Sequence, residues 1–478
     1  MSDAPVQPSA APVPDRPVVF VLFGATGDLS RRMVLPGLVE LHARDMLPRG
    51  WRLVASGRRS QSDEEFREYV GSALEEFGGG APPDWDEVRG HLTFAGGGFT
   101  TEDPGELLDA LARARDELGG EVQVVHVLAV PPTVFGPMAE AIGEHGLAEG
   151  SRVVFEKPYG TSLESFEELE RTVKGVFVEE QVFRIDHFLG KEAVQSMYAL
   201  RFANELVGGA WNREHVAQVQ IDVPEDLDIA DRAEFYDSTG AALDMLVTHL
   251  FQVAAQVAME PPSDLRDPAA LLAAREAVIS SFRPLDPDEV VLGQVEGYRE
   301  TEGVDPGSRT DTFVAARLWV DTERWRDVPF VLRTGKRMAR SAQQVTLVLR
   351  PPRGPLMDEV EAPDTIQVSI AGAGAVSFGL SLKTPGPVDF GLSQAEARLE
   401  LGDVPGGEPM SPYASLLLDA LTGDRSMFTT EQGLRAAFRA FAPLQGERRP
   451  DPLPYEPDAW GPAEARSVAA PHRWFLGQ

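Results

Sequence analysis

The chain contains no cysteine in its 478 residues. This absence excludes disulfide bonds, thiolate catalysis and cysteine-ligated metals, and it fits a reducing, cytoplasmic setting. No motif in the sequence indicates a metal site, and none is predicted. Long apolar runs are missing too, since those present are too short to span a bilayer and are interrupted by charges. The proline- and alanine-rich start, residues 1–16, lacks the apolar stretch of a signal peptide, and we predict a disordered tail there.

Positive charge is scarce, because 44 lysines and arginines face 75 acidic residues and leave a net charge of −31. A surface this acidic repels nucleic acid and anionic membranes at long range, so neither is expected as a partner. A phosphorylated ligand would need a local basic pocket. The chain has only five lysines, and three of them, Lys157, Lys191 and Lys336, are candidates for such a pocket. The flexible ammonium of lysine binds ligands differently from the rigid guanidinium of the arginines, which supply the other positive charges.

Residues 17–189 alternate between apolar runs and helical patterns. The first run, at 17–23, is continuous, as in a strand buried on both faces. Further apolar runs lie at 53–55, 92–95, 122–130, 153–155 and 181–185, and helical patterns lie at 63–77, 106–118, 135–145 and 165–177. Because the chain is too long for one hydrophobic core, we predict two domains. Residues 17–189 should form a doubly wound, Rossmann-like α/β domain with a parallel sheet.

A glycine-rich turn follows the first strand and leads into a helical stretch. It reads Gly24-Ala25-Thr26-Gly27-Asp28-Leu29-Ser30. Gly24 permits a tight turn, Gly27 lets the backbone approach a pyrophosphate, and the following helix offers its N-terminal amides. This variant of the dinucleotide fingerprint predicts a cofactor site at Gly24, Thr26, Gly27, Asp28 and Leu29.

The second strand ends in Ser56-Gly57-Arg58-Arg59. An acid at this place would bind the ribose 2′-hydroxyl and favour NAD, whereas arginine accommodates a 2′-phosphate. No acid occurs before Asp63, so Arg58 and Arg59 predict NADP as the cofactor. The alternative is that both arginines are solvated turn residues.

The pattern changes from about residue 190. Strand-like runs lie at 216–223, 345–349, 366–370 and 376–382, and helical patterns lie at 192–204, 413–421 and 431–442. Since no helices separate the last three strands, residues 190–478 should form a larger α+β domain on a mostly antiparallel sheet.

The nine residues Arg184–Glu192 place a carboxylate, an imidazole and an ammonium within one short segment. His187 and Lys191 are four residues apart, so a helical turn would put them on one face, beside a helix start that suits a phosphate. Asp186 is then free to orient another group. From spacing alone, a salt-bridged turn at a strand end is the alternative.

This segment resembles the substrate-site motif of the glucose-6-phosphate dehydrogenase family, Arg-Ile-Asp-His-Tyr-Leu-Gly-Lys-Glu, with Phe188 in place of tyrosine. The resemblance extends from about Val18 to the C-terminus. It includes Glu156-Lys157-Pro158-Tyr159-Gly160, which is similar to the family's Glu-Lys-Pro-Phe-Gly. It departs at Met33, where the family usually carries lysine, and at Thr248, where asparagine is usual.

The resemblance implies roles for individual side chains. His249 would be the general base, Asp186 the carboxylate that orients it, and Lys157 a contact to nicotinamide and sugar. Arg58 would contact the 2′-phosphate. The other substrate residues that it implies are His187, Lys191 and Tyr413 for the phosphate and Glu225, Asp244 and Lys336 for the sugar.

Asp244 and His249 lie in one long apolar helical pattern. Five residues of α-helix turn the direction by roughly 140°, so these two side chains should not share a stripe and should touch different parts of a ligand. Without the resemblance, His249 would be explained as a packed core histidine.

The expected function is oxidation of an aldose 6-phosphate at C1 with NADP, and the resemblance supplies glucose as the sugar. One alternative is an NAD(P)-dependent dehydrogenase of another sugar or sugar phosphate, although the Gly-x-His-x-x-Asp pattern usual in the broader two-domain sugar dehydrogenases is not found. A second alternative is a non-catalytic NADP-binding sensor of the same fold. The resemblance also implies a homodimer or homotetramer built on the large sheet.

Overall fold

The computed structural model describes residues 15–229, 233–356, 358, 360–386, 391–406 and 408–477. Most of the predicted tail, residues 1–14, lies outside this part of the chain. The described residues divide into two units. The first unit comprises residues up to Gly190 together with Leu265–Leu272 and Gly406–Glu431, and the second unit comprises the rest.

The strands and helices are numbered in chain order. The strands are β1 Val18–Phe23, β2 Trp51–Ser56, β3 Leu92–Ala95, β4 Gln123–Leu128, β5 Arg152–Phe155, β6 Val182–Ile185, β7 Val216–Pro224, β8 Val290–Val295, β9 Phe313–Trp319, β10 Pro329–Gly335, β11 Gln344–Leu349, β12 Thr365–Ser369, β13 Ala375–Lys383, β14 Leu392–Glu400, β15 Phe428–Thr429 and β16 Leu453–Tyr455. The α-helices are α1 Leu35–Ala43, α2 Asp63–Phe77, α3 Trp85–Gly90, α4 Leu107–Leu118, α5 Phe135–Glu144, α6 Leu163–Lys174, α7 Glu192–Phe202, α8 Glu205–Ala210, α9 Ala233–Ala241, α10 Phe251–Ala258, α11 Pro268–Ile279, α12 Pro412–Thr422, α13 Glu431–Phe441 and α14 Ala465–Val468. Ser30–Val34 and Ala242–Leu250 are wound as π-helix.

The first unit is built on a sheet in the order β15-β6-β5-β4-β1-β2-β3. Strands β1 to β6 pair in parallel, and β1 is buried along its whole length, as its continuous apolar run predicted. The last strand, β15, comes from the far end of the chain and pairs antiparallel with β6. This arrangement confirms the predicted Rossmann-like fold, with β15 as an unpredicted addition.

Local capping fixes where α2 begins. The Ser62 hydroxyl accepts from the Glu65 N–H at 3.2 Å, and the Glu65 carboxylate accepts from the Ser62 N–H at 2.7 Å. This reciprocal capping box satisfies two backbone donors that a helix start otherwise leaves open. The loop that precedes α2 carries Arg58 and Arg59, so the cap also sets where that loop ends.

The second unit contains a sheet in the order β14-β13-β12-β11-β7-β10-β9-β8-β16. Only the β7–β10 and β8–β16 pairs among its described strands are parallel, and the rest are antiparallel. The predicted mostly antiparallel sheet is therefore confirmed. One edge strand, β14, is exposed along nearly its whole length.

A buried ion pair links the two parallel strands β7 and β10. Arg333 donates to both carboxylate oxygens of Asp222, at 2.8 and 2.6 Å, and to the Leu476 carbonyl at 2.8 Å. Its guanidinium also lies 4.4 Å from the Trp474 ring centroid and 5.0 Å from that of Trp460. The pair sits just before the carboxyl ends of both strands, where Pro224 and Gly335 are in register.

Within the second unit, the helical run Tyr236–Ala258 is long and apolar enough to cross a membrane, judged by length and composition alone, although it is kinked at Gly240, whose φ is +70°. However, 89% of its most apolar window is buried inside the protein, as in a core helix. This run carries Asp244 and His249.

Candidate active site

The first unit contains a cavity of about 760 Å³ at the carboxyl ends of its parallel strands. Its lining comes from the turns that follow β1, β2, β3 and β4, and it includes Gly24, Thr26, Gly27 and Arg58. The volume lies within the usual range for cofactor sites, and the place is where dinucleotides bind in such sheets. The lining thus includes four of the positions predicted to bind the cofactor.

Gly24 is required by the close approach of two strands at this cavity. Its φ is +73°, and a Cβ on it would lie 2.2 Å from the Ala129 carbonyl oxygen. The Ser30 hydroxyl and the Gly27 N–H both donate to the Gly24 carbonyl, each at 2.9 Å. These bonds hold the turn in the shape that the fingerprint predicts.

Four other predicted cofactor residues do not belong to the described lining of this cavity: Asp28, Leu29, Arg59 and Lys157. Asp28 is exposed and its carboxylate lies 3.9 Å from Arg32. Arg58 and Arg59 are both exposed, so the 2′-phosphate prediction depends chiefly on Arg58. The loop at 97–101 after β3 and Glu140 on α5 also line the cavity, and no spacing signal in the sequence pointed to them.

The structure also places the arginines that could replace the charge missing at Met33. Arg31 donates to Glu76 at 2.8 Å and stacks 5.2 Å from the Tyr69 ring centroid, both on α2. Arg32 lies 5.3 Å from the Phe77 ring centroid on the same helix. Both arginines are therefore held toward α2, and Met33 itself is 38% exposed.

Lys157 follows β5 directly and is partly buried. The turn after it needs Gly160, whose φ is +88° and whose Cβ would lie 2.8 Å from the backbone of Phe166. Glu156, which precedes the lysine, is buried, and the Tyr413 hydroxyl donates to its two oxygens at 3.1 and 3.2 Å. Within the first unit, Glu156 thus joins the Glu-Lys-Pro motif to Tyr413, the predicted phosphate ligand, and no sequence motif indicated this contact.

Tyr413 lies at the start of α12, where the Ser411 hydroxyl caps the helix by accepting from the Ala414 N–H at 3.3 Å. This helix packs against α1, and a Cβ on Gly37 would lie 3.0 Å from the Ala414 nitrogen. Burial, followed by the charge of Glu156, raises the pKa of Tyr413. The phenol therefore keeps its proton and acts as a hydrogen-bond donor.

Asp186 and His187 follow β6 in the first unit. Asp186 is buried, and one of its carboxylate oxygens accepts from the Phe188 N–H at 3.0 Å. Residues 187–190 form a turn, and α7 begins only at Glu192. The expectation that a helical turn would put His187 and Lys191 on one face is therefore wrong, because neither residue is inside a helix.

The end of β6 is fixed by a buried charge network in the same unit. Arg184 donates to Glu170 at 2.9 and 2.6 Å and to Glu179 at 3.0 and 2.9 Å. Arg425, from the segment that precedes β15, donates to Glu179 at 2.6 Å. Such a network holds the strand that presents Asp186 in one position.

In the second unit, Lys191 occupies the N-cap position of α7, but its side chain does not bond to the helix start. Its ammonium donates to the Gln343 side chain and lies 3.4 Å from the Ile370 carbonyl oxygen. Gln343 comes just before β11, so the lysine is anchored on the large sheet. No motif in the sequence points to Gln343, since it lies 152 residues from Lys191.

Glu225 and Lys336 meet at the carboxyl ends of β7 and β10, where they form an ion pair. The Glu225 N–H donates to the Gly335 carbonyl at 2.9 Å. The Lys336 ammonium also lies 5.7 Å from the ring centroid of Tyr236, a residue that sequence reasoning missed. Burial, then the charges of Asp244, Asp311 and Glu225 among others, raise the pKa of Tyr236. The Glu225–Lys336 pair therefore lies beside one buried tyrosine, and the charge of Asp244 acts on the same phenol.

Asp244 and His249 are carried by the π-helical stretch Ala242–Leu250. There the Phe251 N–H bonds to the Leu246 carbonyl, five residues back, and the Thr248 hydroxyl donates to the Asp244 carbonyl at 2.7 Å. Such i→i+5 winding places residues five apart near one face. The expectation that Asp244 and His249 lie on different faces is wrong, because it assumed α-helical winding. His249 is buried, with 1% of its surface exposed.

Two family models of known proteins match this chain, one for each half of the sequence. The family model "Glucose-6-phosphate dehydrogenase, NAD binding domain" matches residues 21–196, and "Glucose-6-phosphate dehydrogenase, C-terminal domain" matches residues 198–475. The residue ranges matched by the two models include the site residues described above.

Two curated relatives are similar over nearly the whole chain. The glucose-6-phosphate 1-dehydrogenase of Aggregatibacter actinomycetemcomitans is 32% identical, covering 94% of this chain and 95% of its own length. Glucose-6-phosphate 1-dehydrogenase 2 of Mycobacterium bovis is 35% identical, covering 93% and 91%.

Solved structures of the same enzyme superpose well. The crystal structure of glucose-6-phosphate 1-dehydrogenase from Mycobacterium avium has a TM-score of 0.85 at 30% identity, covering 97% of this chain and 99% of that chain. A glucose-6-phosphate dehydrogenase in complex with its substrate glucose 6-phosphate has a TM-score of 0.87 at 28% identity, covering 98% and 100%. Because the two family models together span residues 21–475, this chain belongs to the glucose-6-phosphate dehydrogenase family.

Proposed function

We propose that this chain oxidises glucose 6-phosphate at C1 to the 6-phosphogluconolactone, with NADP as the hydride acceptor. The observation that carries this proposal is the match of both halves of the chain to the same family of dehydrogenases. The cavity at Gly24, Gly27 and Arg58 supports it, since its place and lining suit a dinucleotide. NADP, when bound, supplies the nicotinamide that receives the hydride.

His249 takes the proton of the C1 hydroxyl as general base, a role that the family resemblance assigns to it. Its burial supports this role, because an imidazole removed from water exchanges its proton with the substrate rather than with solvent. Asp186 orients the imidazole, again by the resemblance. Lys157 binds the sugar and the nicotinamide.

His187, Lys191 and Tyr413 bind the 6-phosphate. The anchoring of Lys191 by Gln343 fixes where its ammonium can act. Glu225, Asp244 and Lys336 bind the sugar hydroxyls, which their clustering around Tyr236 supports. The phosphate group lies far from C1. Because its binding positions the reacting carbon, it contributes to the reaction rate as well as to affinity.

A panel of sugar phosphates tests this function directly. Purified protein is incubated with NADP and each compound, and the absorbance of the reduced cofactor is followed. Glucose 6-phosphate should give the highest kcat/KM. A higher value for another sugar would favour a different dehydrogenase, and no turnover with any compound would favour a sensor.

Replacing Arg58 by alanine should raise KM for NADP and leave KM for NAD nearly unchanged. Losing a hydrogen bond to a charged group costs about 1.5–3 kcal/mol, or roughly tenfold to a hundredfold in affinity. Steady-state kinetics with both cofactors measure the effect. The matched control is Arg59→Ala, which should change less because Arg59 is not part of the described cavity lining. An equal loss for both cofactors would contradict a 2′-phosphate role for Arg58.

Replacing Phe188 by tyrosine should lower KM for glucose 6-phosphate by about tenfold, because it restores the hydroxyl that the family usually has in its phosphate grip. Phe188 is buried and follows Asp186 and His187 directly. KM for NADP serves as the internal control and should not change. If KM for the sugar phosphate also stays constant, residue 188 does not face the phosphate.

A homodimer or homotetramer built on the large sheet is part of the same proposal. Leu380, Leu382 and Leu399 on β13 and β14 are 40%, 54% and 61% exposed, which supports an apolar surface available to a second copy. Light scattering on the purified protein would decide between these states and a monomer. The cytoplasmic location stays a prediction.

A further inference from the structure

The Tyr413–Glu156 contact has a definite direction. Tyr413 is 4% exposed and Glu156 is 6% exposed, and the phenol donates its only proton to the carboxylate at 3.1 and 3.2 Å. An ionised carboxylate can only accept hydrogen bonds. While Glu156 is ionised, therefore, Tyr413 can offer only lone pairs to any other group.

That direction conflicts with the phosphate-binding role proposed for Tyr413. A phosphate presents acceptor oxygens and needs donors from the protein. A tyrosine whose proton is already committed cannot donate to it, and its lone pairs would face the anion. The conflict disappears if Glu156 carries a proton, because the acid can then donate to the phenol oxygen.

We propose that Glu156 is a positioning residue that switches the Tyr413 hydroxyl between two directions, so that binding of the substrate phosphate is accompanied by uptake of one proton. This inference rests on the proposed phosphate role of Tyr413. With Glu156 ionised, Tyr413 donates to Glu156. With Glu156 protonated by a proton from solvent, Glu156 donates to the Tyr413 oxygen and the phenol proton is free to bind the phosphate.

Both forms of Glu156 are accessible near neutral pH. Burial raises the pKa of Glu156 to about 7, although the Tyr413 hydrogen bond, the Lys157 N–H and the Lys157 charge oppose this rise. On the tyrosine side, Asp186 adds a negative charge that further holds the phenol proton in place. Since the folded pKa is raised, the protonated donor form predominates below pH 7 and is lost as the pH rises through 7.

The kinetic test compares the pH dependence of KM for glucose 6-phosphate in the full-length protein and its variants. In the native chain, KM should rise about tenfold between pH 7 and pH 8.5, as one charged hydrogen bond is lost. Glu156→Gln carries an amide that donates permanently, so its KM should stay low and nearly flat over this range. Tyr413→Phe should give a high KM that is also flat.

The substrate's own phosphate ionisation, with a pKa near 6, is common to all variants and cancels in the comparison. Glu164→Gln makes the same chemical change at an exposed position on α6 and should follow the native profile. Parallel KM profiles for the native chain and Glu156→Gln, in active proteins, would overturn the inference while leaving the proposed function intact. Absence of turnover and of glucose 6-phosphate binding in the native chain would overturn both.

Calorimetry gives a second readout that does not depend on the folding of Glu156→Gln. Glucose 6-phosphate is titrated into the native chain and into Tyr413→Phe at pH 7.5, in two buffers with different heats of ionisation. The native chain should take up more protons on binding, by up to about one per site, than Tyr413→Phe does. Equal proton uptake by the two proteins would contradict the switch.

Discussion

Replacing His249 by asparagine should lower kcat for glucose 6-phosphate oxidation by about 10²–10⁴, the usual contribution of a positioned general base. KM for the sugar phosphate should change little, because the base acts on the C1 hydroxyl proton in the transition state. Asparagine is smaller than histidine but keeps a polar amide near the position of Nδ1, so we expect the fold around this 1% exposed position to be retained. Initial rates at saturating NADP measure the effect.

The matched control for His249 lies in the same unit. His215 is an exposed histidine before β7, and its backbone carbonyl rather than its ring accepts from the Arg350 N–H at 2.6 Å. His215→Asn should therefore retain native kcat. A His249→Asn variant that folds and keeps more than about a tenth of native kcat would remove His249 from the role of base.

Replacing Asp222 by asparagine should destabilise the second unit by about 3–5 kcal/mol, because it leaves the Arg333 guanidinium buried without a countercharge. Both side chains are 3% exposed, and Arg333 is held on all sides by the Leu476 carbonyl and two tryptophan rings. A neutral carbonyl and two ring faces do not replace the charge of a carboxylate. Glu225 and Lys336, at the ends of the same strands, should lose their alignment together with this pair.

Urea unfolding followed by tryptophan fluorescence measures this loss, since Trp460 and Trp474 stack on Arg333. A chain with two units need not unfold in one step, so the midpoint of the transition that these tryptophans report is the quantity to compare. Asp321→Asn is the control. It breaks an exposed pair with Arg283 and should shift stability by less than about 1 kcal/mol. Equal shifts for the two variants would show that burial of the ion pair is irrelevant.

The parts of the fold that could be predicted from the sequence are those in which burial dictates a pattern of apolar residues. Strand β1 is a continuous apolar run because both its faces are covered, and it was predicted within one residue. Strand β14 was not predicted, because nearly all its residues are exposed and its alanines and glutamates are poor strand formers, even though apolar and charged residues alternate from Ala395 to Glu400. Strands β8, β9 and β10 were also not predicted. They lie between loops, and their apolar and polar residues do not alternate clearly.

The site was predictable where it depends on short motifs and not where it depends on distant contacts. Gly24 and Arg58 were found from the turns that follow two strands, and both line the cavity. Glu156 was passed over because its partner, Tyr413, lies 257 residues away. The shared face of Asp244 and His249 escaped prediction for another reason, since π-helical winding leaves no periodic signal in the chain.

The two-residue strand β15 has a consequence for how this protein is made. It pairs with β6, and the segment before it supplies Arg425 to the charge network at Glu179. During synthesis, β6 therefore leaves the ribosome as an uncovered edge strand of the nucleotide-binding sheet. Its partner β15 follows only after more than 200 further residues. Residues 1–190 taken alone therefore lack one strand of this sheet and one member of its charge network.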